Sequence, residues 1–273
     1  MADEPRPSVD ELRQLLRGIE AKSKVVFPRR PAVSLESVVP GRVVENPHGT
    51  LYLVEDDTAK LLAPGDDFAA VTDLFFKRGS VNRDLLAHID ERLADLAGLS
   101  PETILFLDIE TAGFHGSCLF LIGLLVYTGG EFRVTQLFAR NYAEEAAVID
   151  HLREHYGRAR MIVTFNGRAF DLPFIADRAV VHRVPLERPA LDVDLLHVAR
   201  RLWKGTLPDC RLGTLEQCIC GRRRTGDLPS HLIPQAYHDF VESGDAALMV
   251  EVIRHNAYDL VTMAHLLAKM ANG

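Results

Sequence analysis

The segment Ile104-Leu105-Phe106-Leu107-Asp108-Ile109-Glu110-Thr111 constrains the fold more than any other. Four apolar residues, then acid, isoleucine and acid, read as a strand whose far end carries charge. Side chains two apart in a strand share a face, so Asp108 and Glu110 project together while Ile109 points into the core. Two carboxylates at the end of an apolar strand are costly unless something positive sits between them. An edge-strand pairing with Arg or Lys would serve. So would a divalent metal, since hard cations such as Mg²⁺ take carboxylate oxygens. Asp-x-Glu alone does not choose between the two; the segments downstream do.

A chain of 273 residues is long enough for one large domain, or for one domain and a smaller module. Ser8-Val9-Asp10-Glu11 is a capping box, with Leu12, Leu15, Leu16 and Ile19 at helical spacing, and predicts a helix over residues 9–21. Residues 41–45 and 50–55 flank Asn46-Pro47-His48-Gly49, a hairpin pattern. Residues 59–64 read as a short strand or a loop, and Leu85, Leu86, Ile89, Leu93 and Leu96 repeat at helical spacing over 84–96. The apolar complement is thin for this length, so residues 1–99 are expected to form a small N-terminal α+β appendage packed on the main domain, residues 100–273. There the pattern changes. Candidate strands fall at 103–110, 117–127 and 131–139, with Gly129-Gly130 as a tight turn. A helix at 143–156, a strand at 160–165, a helix from 170 and a short strand at 191–194 follow. Helices at 195–203, 213–219, 233–242 and 246–270 close the chain. The order of elements predicts an α/β sheet with helices on both faces.

The formal charge of −7 argues against a general nucleic-acid coat protein, although local charge matters more than the net value for an enzyme. Four irregularly spaced cysteines suggest neither a disulfide framework nor a zinc site. The opening residues lack the basic and apolar regions of a signal peptide, and the most apolar run, 118–127, is about half of a membrane span. A cytoplasmic protein that does not enter the membrane is expected. No phosphate-binding loop is present, so no ATP use is indicated.

Two further segments carry chemistry. In Thr164-Phe165-Asn166-Gly167-Arg168-Ala169-Phe170-Asp171, Asn166 and Gly167 end a strand and Asp171 opens a helix, where it would ordinarily be an N-cap. In His255-Asn256-Ala257-Tyr258-Asp259, His255 and Asp259 lie one above the other on a helix that Ile253, Ala257, Leu260 and Ala264 mark as buried. In this order the segments resemble the DEDD exonucleases of the ribonuclease-H-like superfamily, and in detail the YprB-type branch. That branch opens on Phe-Leu-Asp-Ile-Glu-Thr, continues with Phe-Asn-Gly-x-x-Phe-Asp-x-Pro and closes on His-Asn-x-x-Asp. The stretches 194–203 and 210–216 also match it, so the likeness runs from about 103 to 270.

The resemblance implies a ribonuclease-H-like fold with a mixed five-stranded sheet. It implies that Asp108, Glu110, Asp171 and Asp259 hold two Mg²⁺ or Mn²⁺ ions that clamp a scissile phosphate and activate water. Four carboxylates also supply about the charge two such ions need. The familiar subclasses place His five residues, or Tyr four, before the last Asp. Here Arg254 stands at five and His255 at four, which gives His255 the general-base place. Tyr258, next to Asp259, points about 100° away.

Residues 200–224 are strongly basic: Arg200, Arg201, Lys204, Arg211, Arg222, Arg223 and Arg224. They are either a solvated helix face or a phosphate track toward the acids. With Thr111 and Asn166, the candidate nucleic-acid contacts are Arg200, Arg201, Lys204, Arg211 and Arg222. Phe170 and Trp203 are candidates for stacking on a base, although Trp203 shares the helical register of Leu196 and Ala199 and reads as core. Asp194, before Leu195-Leu196, reads as a helix N-cap, and Asp192 lies near the site in the family pattern. The expected activity is a 3′–5′ exonuclease on single-stranded nucleic acid. The rivals are a structure-selective endonuclease of the same superfamily and a catalytically silent nucleic-acid-binding module.

Overall fold

The strand Ile104–Thr111 is β3 of a mixed seven-stranded sheet, and the acids it carries sit at its C-terminal end. The other strands are β1 (Arg42–Asn46), β2 (Gly49–Asp57), β4 (Leu119–Thr128), β5 (Glu131–Phe138), β6 (Met161–Thr164) and β7 (Leu191–Asp194), in the order β1-β2-β5-β4-β3-β6-β7. The helices are α1 (Leu35–Val38), α2 (Glu91–Leu96), α3 (Glu145–Arg158), α4 (Asp171–Val181), α5 (Leu195–Trp203), α6 (Leu212–Cys218), α7 (Ile233–Ser243) and α8 (Met249–Asn272). This computed structural model describes residues 32–57, 71, 87, 90–96, 98–114, 116–224 and 226–272. The helix predicted at 9–21, the segment 59–64 and most of the helix predicted at 84–96 lie outside the described residues; α2 covers the end of the last.

The sheet is two strands wider than the five expected. Asn46 pairs with Gly49 across a turn made of Pro47 and His48, as the hairpin pattern requires. The hairpin then joins the main sheet edge to edge: β2 runs antiparallel to β5, with Tyr52 opposite Phe138. At the centre, β3 is antiparallel to β4 and parallel to β6, and β6 is parallel to β7. The tight β4–β5 turn needs positive φ at both central positions, and Gly129 (63°) and Gly130 (92°) supply it without a Cβ to clash.

The alternation of β3 sorts the core onto two faces. Leu105, Leu107 and Ile109 pack with residues of α3, α4 and α7, among them Leu152, Phe174 and Tyr237. Ile104 and Phe106 pack on the other face with residues of α5 and α8, among them Val198, Leu260 and Ala264. Asp108 and Glu110 continue that second row, so they come up beneath α8. This helix runs for 24 residues, about 36 Å. The β3–β4 register shifts between Glu110 and Thr111, an irregularity of the kind that re-aims side chains at the end of a sheet.

The turn after β6 is fixed by Asp194. Its carboxylate accepts from Leu196 N at 3.0 Å, capping α5 as the sequence suggests, and from Asn166 N at 2.8 Å and Arg168 N at 3.2 Å. Asn166 takes the left-handed conformation, φ 65°, and a Cβ on Gly167 would lie 2.4 Å from that of Thr164. The Asn-Gly pair is thus what lets the chain turn sharply enough to start α4 at Asp171. Helices predicted at 143–156, 195–203, 213–219, 233–242 and 246–270 are α3, α5, α6, α7 and α8. Among the described residues no helix is long and apolar enough to cross a membrane.

Candidate active site

Asp108 and Glu110 from β3, Asp171 from the first position of α4 and Asp259 from α8 converge closely enough to repel one another. Burial, then Asp259, Asp171 and Glu110, push the Asp108 carboxyl well above the ordinary carboxylate range. Burial, then Asp259, Asp171 and Asp227, do the same to Glu110. Asp171 is raised from 3.8 to about 7, chiefly by burial, although its carboxylate accepts from the backbone N–H groups of Asp171 and Ile109. Without a cation, three of the four acids therefore resist ionisation.

His255 and Asp259 share a face of α8, with His255 Nε2 3.6 Å from Asp259 Oδ2. His255 is 8% exposed, and its Nδ1 lies 2.8 Å from Asp227 Oδ1. Ser230 Oγ is 3.4 Å from Nε2. Between the two, Asn256 points down at the sheet. Its Nδ2 donates to Asp108 Oδ2 at 2.8 Å, and its Oδ1 accepts from Gln136 Nε2, also at 2.8 Å. Gln136 donates as well to Ile253 O, at 2.8 Å. Gly123, opposite Asp108 in the β3–β4 ladder, makes room for this: a Cβ there would lie 2.0 Å from Asn256 Oδ1.

Arg224 enters the same cluster from the irregular segment after α6. Its Nη2 is 2.5 Å from Asp259 Oδ1, its Nε 2.6 Å from Glu216 Oε2 and its Nη1 3.3 Å from Asp227 Oδ2. The guanidinium also lies over the Tyr258 ring, 5.5 Å from the centroid. Arg222 is turned inward too, with Nε 3.8 Å from Glu216 Oε1. The run 222–224 is therefore not an open basic face: two of its three guanidinium groups face carboxylates inside the fold, and Arg223 alone of the three is exposed.

The remaining basic candidates are on the surface. Arg200, Arg201, Lys204 and Arg211 are exposed, with Arg201 3.8 Å from Asp90 and Arg211 3.9 Å from Asp209. A cleft of about 620 Å³ is lined by Arg211, Arg224, Asp227, Ser230, His255 and Asp259 among others. It shares Arg211 and Leu212 with a second cleft of about 510 Å³, which reaches Phe165, Asn166 and Arg200. Asp108, Glu110 and Asp171 do not line either. The hydroxyl of Thr111 donates to Gly113 O at 2.7 Å, a local bond. Phe170 and Trp203 both pack against the core. Asp192 faces Arg168 and Arg188.

The donor chemistry suits a divalent cation: hard oxygens from three elements, crowded until their ionised forms repel. Among the described residues, no three His, Cys, Asp or Glu side chains already stand in a metal-holding arrangement, and Asp259 is turned to Arg224. Sequence reasoning gave no role to Asn256, Gln136, Gly123 or Asp227, and placed Arg224 in a basic run read as either a solvated face or a phosphate track. One signal was available. An isolated glycine inside the apolar run of β4 marks a close approach by another group, here Asn256. Asp227 and Arg224 lie in a segment with no periodicity to read.

Fold and site together define an α/β domain with a partly buried carboxylate cluster at the end of its central strand. The family model of the RNase H superfamily matches residues 105–271, and the chain belongs to that family. Over 192 residues it is 30% identical to "Uncharacterized protein YprB" of Bacillus subtilis (strain 168); the match covers 64% of this chain and 43% of that protein, so the chain spans less than half of the relative's length. Among solved structures, the family B DNA polymerase from the hyperthermophilic archaeon Pyrobaculum calidifontis is similar with a TM-score of 0.49 and 17% identity, over 60% of this chain and 24% of that one.

Proposed function

We propose that this domain is a DEDD-type, divalent-metal-dependent 3′–5′ exonuclease acting on single-stranded DNA or RNA. Members of the superfamily generally hydrolyse phosphodiester bonds, and its nucleases typically use divalent metals. The observation that carries the finer reading is the convergence of Asp108, Glu110, Asp171 and Asp259, mutually repelling and drawn from β3, α4 and α8. These four would hold two Mg²⁺ or Mn²⁺ ions, whose chemistry is to polarise the scissile phosphate and acidify the attacking water.

The chain's own groups supply the rest. His255 faces Asp227 through Nδ1, which favours the tautomer with its proton on Nδ1, so that Nε2, turned toward Ser230 and Asp259, is the nitrogen that would take a proton from water. Asp227 orients that ring. Asn256, braced by Gln136, holds the Asp108 carboxylate in place through Oδ2. Exposed Arg200, Lys204 and Arg211, with Asn166 beside Arg200 and Arg211 on the second cleft, are the groups suited to a phosphate backbone.

The Arg224–Asp259 ion pair favours a rival reading, a nucleic-acid-binding module without cleavage. Digestion of end-labelled DNA and RNA oligonucleotides with Mg²⁺, Mn²⁺ or chelator separates the readings. A metal-dependent ladder from the 3′ end supports the exonuclease; internal cuts would make it an endonuclease, and binding without any cutting would leave the silent module.

A further inference from the structure

The geometry points to Arg224 as a built-in counter-ion that holds Asp259 and competes with a divalent cation for it. This rests on the metal-dependent reading of the acidic cluster and adds a cost to filling it. The guanidinium uses each of its three nitrogens on a different carboxylate: Nη2 on Asp259, Nε on Glu216 and Nη1 on Asp227. Its side chain is only 13% exposed, so water screens these pairs weakly. Charge-assisted hydrogen bonds of this length are among the stronger polar contacts a protein makes. A cation that takes Asp259 through Oδ1 must displace Arg224, and one that takes Oδ2 meets its positive charge across the same carboxylate.

The arrangement also makes displacement feasible. A buried guanidinium stripped of every partner would be prohibitively costly, because an uncompensated charge would remain in the fold. Arg224 need not be stripped: on leaving Asp259 it keeps Glu216 and Asp227 and stays over Tyr258. Glu216 is itself 2% exposed on α6, a fixed anchor rather than a mobile surface acid. The Asp259 side of the cluster is thus occupied by a resident positive charge, whereas Asp108 meets the neutral amide of Asn256. Cation affinity at Asp259 is set by a local exchange of partners.

The test is Mn²⁺ binding to the metal-free full chain, followed by calorimetry or by the electron paramagnetic resonance of free Mn²⁺, with no substrate present. Arg224→Gln should bind Mn²⁺ about tenfold more tightly than the parent, within the usual range for coupling between two bound groups. The gain should vanish when Asp259→Asn is combined with it. Arg224→Lys, which keeps the charge but cannot reach three carboxylates at once, should bind Mn²⁺ with intermediate affinity. Equal or weaker binding by folded Arg224→Gln overturns the proposal while leaving the metal site in place. Should that variant not fold, equal or weaker binding by Arg224→Lys does the same. If neither the parent nor any variant binds Mn²⁺, the metal reading fails and the counter-ion role fails with it.

Discussion

Replacing Asp171 by Asn should stabilise the metal-free protein, and more at pH 8 than at pH 5. Burial first, with Asp194 and Asp259 adding, raises this carboxyl from 3.8 to about 7. The folded state therefore holds the proton more tightly than the unfolded chain. The sign follows: the contribution to stability is greatest below about pH 4 and is lost as pH rises to about 7. At about 1.36 kcal/mol per pH unit, the full gap is worth roughly 4 kcal/mol. Asn carries no charge at any pH, so it escapes that cost. Its Oδ1 still accepts the Ile109 N–H, but more weakly than a carboxylate, which takes back about 1 kcal/mol. The expected net gain at pH 8 is about 3 kcal/mol, or roughly 6–12 °C in Tm for a chain of this size. Thermal unfolding followed by circular dichroism in chelator measures it. Lowered groups elsewhere, such as His155 at about 4 and Glu145, give pH dependences of the opposite sign. They cancel in the difference between variant and parent. A gain that is the same at both pH values, or a loss at pH 8, would refute the electrostatic description of the cluster.

Other expectations follow from the same contacts. His255→Ala should lose on the order of 10²–10⁴ in cleavage rate, and Asp227→Asn a smaller part of the same loss, with the two effects non-additive in the double variant because Asp227 acts through His255; additive losses would separate them. Gly123→Ala forces Asn256 away from Asp108 and Gln136 and should destabilise the fold by about 1–3 kcal/mol in denaturant titration, whereas parental stability would show that the Asn256 bracket is dispensable. Replacing Arg200 and Arg211 by Ala should lower the log–log salt slope of single-strand binding by about 0.7 for each phosphate that these side chains neutralise; an unchanged slope would remove them from the strand's path.

Much of the fold was legible because its elements announce themselves locally. The period-two alternation of β3 placed Asp108 and Glu110 on one face, the Asn166-Gly167 pair marked the end of β6, and the four-residue spacing of His255 and Asp259 put both on one side of α8. The width of the sheet was not legible. β2 pairs with β5 across a long stretch of sequence, Tyr52 opposite Phe138, and no local pattern says whether a hairpin docks edge to edge or packs on a face. The run Arg222-Arg223-Arg224 misled for a related reason. Composition suggests solvent and phosphate, but Glu216, Asp227 and Asp259 draw Arg224 inward, and partners drawn from separate elements form no pattern that a local reading can detect.

The most direct measurement compares the parent with Asp108→Asn on end-labelled oligonucleotides in Mn²⁺, beside a chelator blank. Asn keeps the size of the side chain and its place under Asn256, and removes one carboxylate from the cluster. The parent should shorten the labelled strand and the variant should do no more than the blank, while both melt as folded proteins. Cleavage by Asp108→Asn at the parental rate would contradict a reaction carried out by these four acids.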